Sequence, residues 1–135
     1  MTISKYVADF LKLYDGIEID TNHVQDGSDK YGLFKSPSRD FERRVDGSAK
    51  ITEYFQFLAA QRSIAEEERK EDDEWLESFT YWLDDYPVIY TYPELDGSRR
   101  VLDIKATGST TPLTDDNNRI VYQMLLSITY EREVN

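Results

Sequence analysis

Hydrophobic residues near the start of the chain recur at the three- and four-residue spacing of a helix. This spacing lines up one apolar face and predicts a helix over residues 3–14. Thr2 or Ser4 can act as the N-cap, and Gly16 is a suitable stop. The apolar positions are Ile3, Tyr6, Val7, Phe10, Leu11 and Tyr14.

A second helical stripe lies in the middle of the chain. Ser63 and Glu66 match the Ser-x-x-Glu capping box, so we expect a helix that begins near residue 64. Pro87 is expected to end it, because proline cannot continue a helix. The large apolar side chains of this helix are Trp75, Leu76, Phe79, Trp82, Leu83 and Tyr86.

Three stretches have the composition and alternation of strands. Residues 49–60 are rich in β-branched and aromatic side chains and have apolar character on both faces, which predicts a central strand. Residues 99–106 follow a turn and predict another strand. Residues 120–131 alternate strictly, with one wholly apolar face, and predict the last strand.

Shorter extended segments precede the central strand. Residues 17–20 alternate as a short strand, and residues 31–34 predict a second one after turn-forming residues at 25–29. Asp46-Gly47 follows a third extended segment at residues 39–45 and predicts a hairpin into the central strand. A loop of two residues and a loop of three residues both fit this hairpin.

The order of these elements predicts the fold class. Without a regular βαβ alternation, it is typical of an α+β protein with an antiparallel or mixed sheet of about four to six strands and two helices on one face. Residues 107–118 have loop composition throughout and predict a loop that is mobile or ordered by a partner. We expect one domain over residues 1–135, because no linker or internal repeat interrupts the pattern.

Charge is distributed unevenly along the chain. Its 16 Lys and Arg against 27 Asp and Glu give a net charge of −11, which disfavours binding to nucleic-acid backbones or anionic lipid. Residues 64–86 hold ten acids and two bases, a net of −8, so most of the negative charge lies on the second helix. Glu67, Glu71, Asp72 and Glu74 lie in its first half.

One basic segment stands out against this acidic background. It spans residues 39–50 and carries Arg39, Arg43, Arg44 and Lys50. Such a segment can face an acidic surface within the molecule or on a neighbour, or can be a solvated face. We take these four residues, with the four acids of the second helix, as candidates for an assembly interface.

Catalytic and metal-binding motifs are missing from the sequence. The chain has no cysteine and a single histidine, His23, in a polar segment, which leaves little for a metal centre or a triad. Its glycines form no phosphate-binding loop. No apolar run approaches the roughly 20 residues of a membrane helix. We therefore expect no enzyme activity, no cofactor and no membrane insertion.

From residue 51 onwards the chain resembles the minor capsid or tail-terminator proteins of siphophages and prophages of Gram-positive bacteria. The resemblance lies in the order of four segments, including a Trp75-Leu76 pair on the helix, and covers about 80 of the 135 residues. The family usually has Leu-Pro after the helix, where this chain has Tyr86-Pro87. The segments are residues 51–59, 75–83, 101–106 and 120–130.

This resemblance implies a structural virion protein that caps the tail tube and helps to join the head to the tail. It implies a ring of copies of the chain, a hexamer in most of the family, in contact with a tail-tube protein and a head-completion protein. The ring would assemble in the bacterial cytoplasm and remain at the tail end of the virion.

A second function remains open at this stage. An acidic regulatory or inhibitory protein can imitate nucleic acid and occupy a basic partner, and an acid-rich helix suits that role. Against it, the acids concentrate at one end of the helix, whereas a mimic needs carboxylates spaced along a whole face like phosphates.

Overall fold

The computed structural model describes the backbone of residues 1–21, 30–61, 66–107, 111–114 and 120–133, with side chains for 1–19, 31–59, 73–107 and 122–133. Within these residues the α+β prediction is confirmed: two helices pack on a six-stranded mixed sheet. The elements in chain order are α1 (Ile3–Leu11), β1 (Ile19–Thr21), β2 (Lys30–Arg43), β3 (Ala49–Gln61), α2 (Glu66–Ile89), β4 (Arg99–Ala106), β5 (Thr111–Thr114) and β6 (Ile120–Arg132).

Helix α1 forms where predicted but is three residues shorter. Its N-cap is Thr2, whose Oγ1 accepts a hydrogen bond from the Lys5 backbone N–H at 3.2 Å. The helix ends at Leu11 and the chain then makes a series of turns, reaching left-handed backbone at Asp15 and Gly16. The predicted stop at Gly16 therefore closes the turns after the helix instead of the helix itself.

Helix α2 carries the predicted apolar face and continues past its proline. Leu76, Phe79, Leu83 and Tyr86 are buried, so the periodicity named the correct face. Pro87 lies inside the last turn, and the helix reaches Ile89, which corrects the expectation that Pro87 ends it. A proline removes one backbone donor, but the bonding pattern continues after it, because the Tyr90 N–H donates to the Tyr86 carbonyl at 2.7 Å. The predicted cap at Ser63 lies outside the described residues.

The sheet has the strand order β1-β2-β3-β6-β4, with β5 beside β6. The pairs β2–β3, β3–β6 and β6–β4 are antiparallel, and β1 is parallel to β2. Strand β3 pairs with β2 on one side and with β6 on the other, which confirms its predicted central position. Strands β4 and β5 pair with successive parts of β6, so together they line one side of it.

Strand β2 corrects one prediction. Two separate strands were expected at residues 31–34 and 39–45, but residues 30–43 form one strand, whose pairing with β3 shifts register between Lys35 and Arg39. Pro37 lies within this irregular stretch. A proline is tolerated there because β1 pairs only with residues 31–33, so no described strand pairs with the outer side of β2 at Pro37.

The hairpin between β2 and β3 has the longer of the two expected loops. The Arg44 N–H donates to the Ser48 carbonyl at 2.8 Å, which leaves Val45, Asp46 and Gly47 as a three-residue loop. The Gly47 N–H donates to the Arg44 carbonyl at 3.1 Å, and Gly47 has φ +92°. A tight turn followed by a left-handed residue is a usual solution for three-residue hairpins, and glycine adopts this conformation without strain.

Strand β5 corrects the prediction of an unbroken loop over residues 107–118. Residues 111–114 pair with residues 120–123 of β6, although Thr-Pro-Leu-Thr has little local strand signal. Pairing with a long neighbouring strand supplies backbone hydrogen bonds that local sequence does not reveal. The rest of the predicted loop, apart from Thr107, lies outside the described residues.

The core lies between the sheet and the two helices. Phe57 of β3 stacks on Phe79 of α2 with ring centroids 5.2 Å apart, and Phe10 of α1 stacks on Trp82 at 5.1 Å. Both helices therefore cover the same face of the sheet. Tyr6 fastens α1 to the segment after α2, because its hydroxyl donates to the Pro93 carbonyl at 2.6 Å. The opposite face of β3 includes Thr52 and Tyr54 and is partly exposed, and neither of the two described helices lies over it.

Candidate assembly surface

The predicted basic segment forms the end of the β2–β3 hairpin. Arg39, Arg43, Arg44 and Lys50 are all exposed, so the structure brings the four predicted cations to one end of the sheet surface. They do not form a single cluster, because alternate residues of a strand point to opposite faces. Arg39 and Arg43 are on the helix side of the sheet, since they pair with Glu53 and Ala49 of β3.

Phe41 links the two arginines on the helix side. The Arg39 guanidinium lies 5.3 Å from the centre of the Phe41 ring, and the Arg43 guanidinium lies 4.9 Å from it. Phe41 is 46% exposed, so the ring and its two cations form a patch open to solvent. We call Arg39, Phe41 and Arg43 the basic patch. Sequence analysis named its arginines and missed Phe41, although the alternation Arg-x-Phe-x-Arg places all three on one face.

Arg44 has a partner within the chain. Its Nη1 lies 2.6 Å from Glu131 Oε2 of β6, and Arg100 of β4 forms a second ion pair with the same carboxylate. The hydrogen bond from Arg44 lowers the pKa of Glu131, and the charge of Arg100 adds to the effect. Arg44 therefore ties the hairpin to the end of β6 and is less available to a neighbouring molecule than the sequence suggested.

Lys50 is exposed at the start of β3. It pairs across the sheet with Glu42 of β2 and with Glu131 of β6, and so has an acidic residue opposite it on each side. Cross-strand pairs of opposite charge stabilise sheets modestly. Its position suits a role in the sheet as much as a role in assembly.

The four predicted acids all belong to helix α2. Glu74 is exposed, and the side chains of Glu67, Glu71 and Asp72 lie outside the described residues. The neighbouring Trp75 stacks on Tyr31, which pairs with Ala59 near the far end of β3. Because Ala49 and Ala59 are ten residues apart, Glu74 and the basic hairpin are separated by about 33 Å along the strand.

The described part of α2 also presents an acidic outer face with an exposed aromatic ring. Tyr81 is 56% exposed and its hydroxyl donates to Glu77 Oε1 at 2.8 Å. This hydrogen bond, together with the nearby charges of Glu77 and Asp84, raises the pKa of Tyr81. Asp85 is exposed on the same turn as Asp84. We call Glu77, Tyr81 and Asp84 the acidic patch, and sequence analysis did not single it out.

A buried carboxylate lies under helix α1. Glu53 of β3 is 4% exposed, and it accepts hydrogen bonds from Lys35 Nζ at 2.8 Å and from the Tyr130 hydroxyl at 2.7 Å. Burial acts to raise the pKa of Glu53, but the two donors outweigh it and the net shift is downward. Burial, followed by the hydrogen bond to Glu53, raises the pKa of Tyr130 to about 12. No local sequence pattern predicts this cluster, because it depends on the pairing of three strands.

The same cluster lines an open groove of about 1040 Å³ between α1 and the sheet. The groove has more cations than acids, but internal pairs neutralise several of them. Lys5 and Lys12 lie 3.2 and 3.9 Å from Asp9, and Arg99 lies 2.6 Å from Asp96. Two of these pairs involve only residues of α1 and its C-cap, and the third spans the turn before β4, so they neutralise part of the groove's charge without joining α1 to the sheet.

Neither a metal-binding cluster nor a membrane-spanning helix is found among the described residues. No three His, Asp or Glu side chains among them come together to hold a metal ion. None of the described helices is long and apolar enough to cross a membrane. Comparison of the chain with protein-family models and with curated protein sequences finds no match.

Proposed function

We propose that this protein is a structural component of a phage or prophage virion, which caps the tail tube as a ring and helps to join the head to the tail. It acts by contact with copies of itself, with the tail-tube protein and with a head-completion protein. It needs no cofactor and converts no substrate. This function follows from the sequence resemblance, and two structural features support it.

The first feature is the arrangement of the segments that carry the resemblance. Residues 51–59 belong to β3, residues 101–106 to β4 and residues 120–130 to β6. These strands are neighbours in the sheet, in the order β3-β6-β4, and α2 covers the same unit. The segments that carry the resemblance therefore form three adjacent strands and the helix that packs on them.

The second feature carries the proposal: the chain presents oppositely charged surfaces at different places. The basic hairpin lies at one end of β3, and the acidic first half of α2 lies towards the other end, about 33 Å away as judged from Glu74. One molecule cannot bring these two surfaces together. A contact between different patches of identical chains is heterologous, and such contacts close into rings when the rotation permits.

The test is an in-frame deletion of the gene in the phage or prophage that encodes it, followed by electron microscopy of the particles. We expect tails of irregular length and heads without tails, with normal particles restored by the wild-type gene. Normal, fully joined particles in the deletion strain would remove the proposal. Labelling the protein in complete virions gives an independent check, since we expect the label at the head end of the tail.

A further inference from the structure

Two exposed patches on this chain are complementary, because each has an aromatic ring beside charged groups and the charges of the two patches are opposite in sign. The basic patch has an exposed phenylalanine ring between two guanidinium groups, and the acidic patch has an exposed tyrosine ring between two carboxylates. We propose that the basic patch of one copy docks on the acidic patch of α2 of the next copy, with Phe41 packed against Tyr81. This inference rests on the proposed ring, and it places the acidic surface of the contact on the middle of α2, at Glu77, Tyr81 and Asp84, and not on the first half of the helix.

Both patches carry charge that no salt bridge neutralises among the described residues. Neither Arg39 nor Arg43 forms one with a carboxylate there. Arg43 Nη1 donates to the neutral Gly47 carbonyl at 2.8 Å, and the charge of Arg39 helps to lower the pKa of Glu53 without a direct contact. No acid of α2 forms one either, within the same part of the structure. The sequence from residue 71 to residue 98 contains no Lys, Arg or His, so cations for this face of α2 must come from elsewhere.

Each patch also exposes a large part of an aromatic ring. Phe41 and Tyr81 are 46% and 56% exposed in the same chain, so neither ring covers the other. Aromatic and arginine side chains are enriched at the centres of protein interfaces, where they supply most of the binding energy. An exposed ring flanked by charges of one sign suits a partner with a ring flanked by charges of the other sign.

The symmetry of the contact between two copies also favours ring formation. The two patches differ, so a contact between them cannot be a two-fold symmetric one, in which each patch would meet its own copy. A symmetric contact would also place Arg39 and Arg43 against the same cations of the other molecule, which like-charge repulsion disfavours. The contact therefore leaves one patch free at each end of a dimer, as growth towards a closed ring requires.

The experiment uses two variants of the full chain, each defective in one patch. The basic-patch variant carries Phe41→Ser and Arg43→Glu, and the acidic-patch variant carries Tyr81→Ser and Asp84→Arg. Analytical ultracentrifugation is run at protein concentrations up to about 1 mM, where weak contacts are populated. The controls are Val45→Ser in the hairpin loop and Leu125→Ser on the face of the sheet opposite the helices, which remove exposed apolar side chains outside the two patches.

We expect the wild-type chain and both controls to self-associate, and each variant alone to do so at least about tenfold more weakly. An equimolar mixture of the two variants should form a one-to-one heterodimer, since the intact basic patch of one fits the intact acidic patch of the other. The heterodimer also shows that both variants are folded.

Each other outcome overturns the inference. Unchanged association of both variants would place the contact elsewhere and leave the ring itself in place. Loss of association in both variants without a heterodimer would show that these patches do not meet. A wild-type chain that stays monomeric at the highest concentration would refute a contact between free copies, and the gene deletion described above would then decide the ring function separately.

Discussion

The Tyr130 hydroxyl donates a hydrogen bond to the buried Glu53 carboxylate at 2.7 Å across the central strand pair β3 and β6. Lys35 of β2 approaches the same carboxylate at 2.8 Å, so a single side chain is held by both neighbouring strands. Because Glu53 is buried, these contacts contribute to the free energy of unfolding: a buried charge without hydrogen-bond partners destabilises the folded state.

Removal of the Tyr130 hydroxyl tests this relationship. We expect Tyr130→Phe to lower the free energy of unfolding by about 1.5–3 kcal/mol, the usual range for a hydrogen bond to a charged group. Tyr54→Phe is the matched control, because Tyr54 also donates to a carboxylate, that of Asp40, but in an exposed position. We expect it to change stability by about 0.5 kcal/mol or less. Urea titration of both variants measures the difference, and equal effects would refute the argument.

Glu53 also predicts how stability depends on pH. Its pKa in the folded protein lies below the usual value of 4.5, so the folded state binds the proton less tightly than the unfolded state. The stabilisation is complete above pH 4.5 and is lost as the pH falls through the lower, folded pKa. Glu53→Gln removes this titration.

We therefore expect the stability difference between the wild-type chain and Glu53→Gln to be constant above pH 4.5 and to shrink below it. Urea unfolding at a series of pH values measures both proteins. The other carboxylates titrate in both, so they cancel in the difference. A difference that grows on acidification would contradict the assigned direction of the pKa shift.

A substitution at Gly47 should destabilise the hairpin through backbone conformation alone. Its φ of +92° disfavours residues with a Cβ, although an added Cβ would contact no atom within 4 Å. We expect Gly47→Ala to destabilise the protein by about 1 kcal/mol or more. Gly97→Ala is the control, since Gly97 lies in a turn, has equal space around it and has no positive φ. Thermal unfolding compares the two, and equal losses would rule out the conformational explanation.

The two neighbouring arginines of the hairpin should differ in their effects. Arg44 is paired with Glu131, so Arg44→Glu should lower stability by about 1 kcal/mol or less while acting mainly within the molecule. Arg43 lies over Phe41 in the basic patch, so Arg43→Glu should leave stability within about 0.5 kcal/mol and weaken self-association. Urea unfolding and sedimentation velocity on both variants separate these effects. An unchanged sedimentation profile for Arg43→Glu would remove the basic hairpin from the assembly interface.

Several parts of the fold follow from local sequence. The apolar stripes of α1 and α2 and the strict alternation of β6 identify these elements and their buried faces, because a helix and a strand each impose a fixed period on the side chains. Asp46-Gly47 likewise predicts the hairpin, since few residues other than glycine tolerate the backbone of Gly47.

Other parts depend on which strands pair. Strand β5 forms because residues 120–123 of β6 lie beside it. Strand β2 runs through Pro37 because none of the strands that the structure describes pairs with its outer side there. Neither fact is local, so composition predicted a loop in the first case and a break between two strands in the second.

The sequence by itself determined the two helices, the long strands β3 and β6, the sign of each charged segment and the resemblance to a family, because these depend on the order and type of neighbouring residues. Only the tertiary structure decided that Arg44 is paired within the chain, that Phe41 lies exposed between Arg39 and Arg43, and that Glu53 is buried beside Lys35 and Tyr130. Register, strand order and burial set these relationships, and they arise from contacts between residues far apart in the chain.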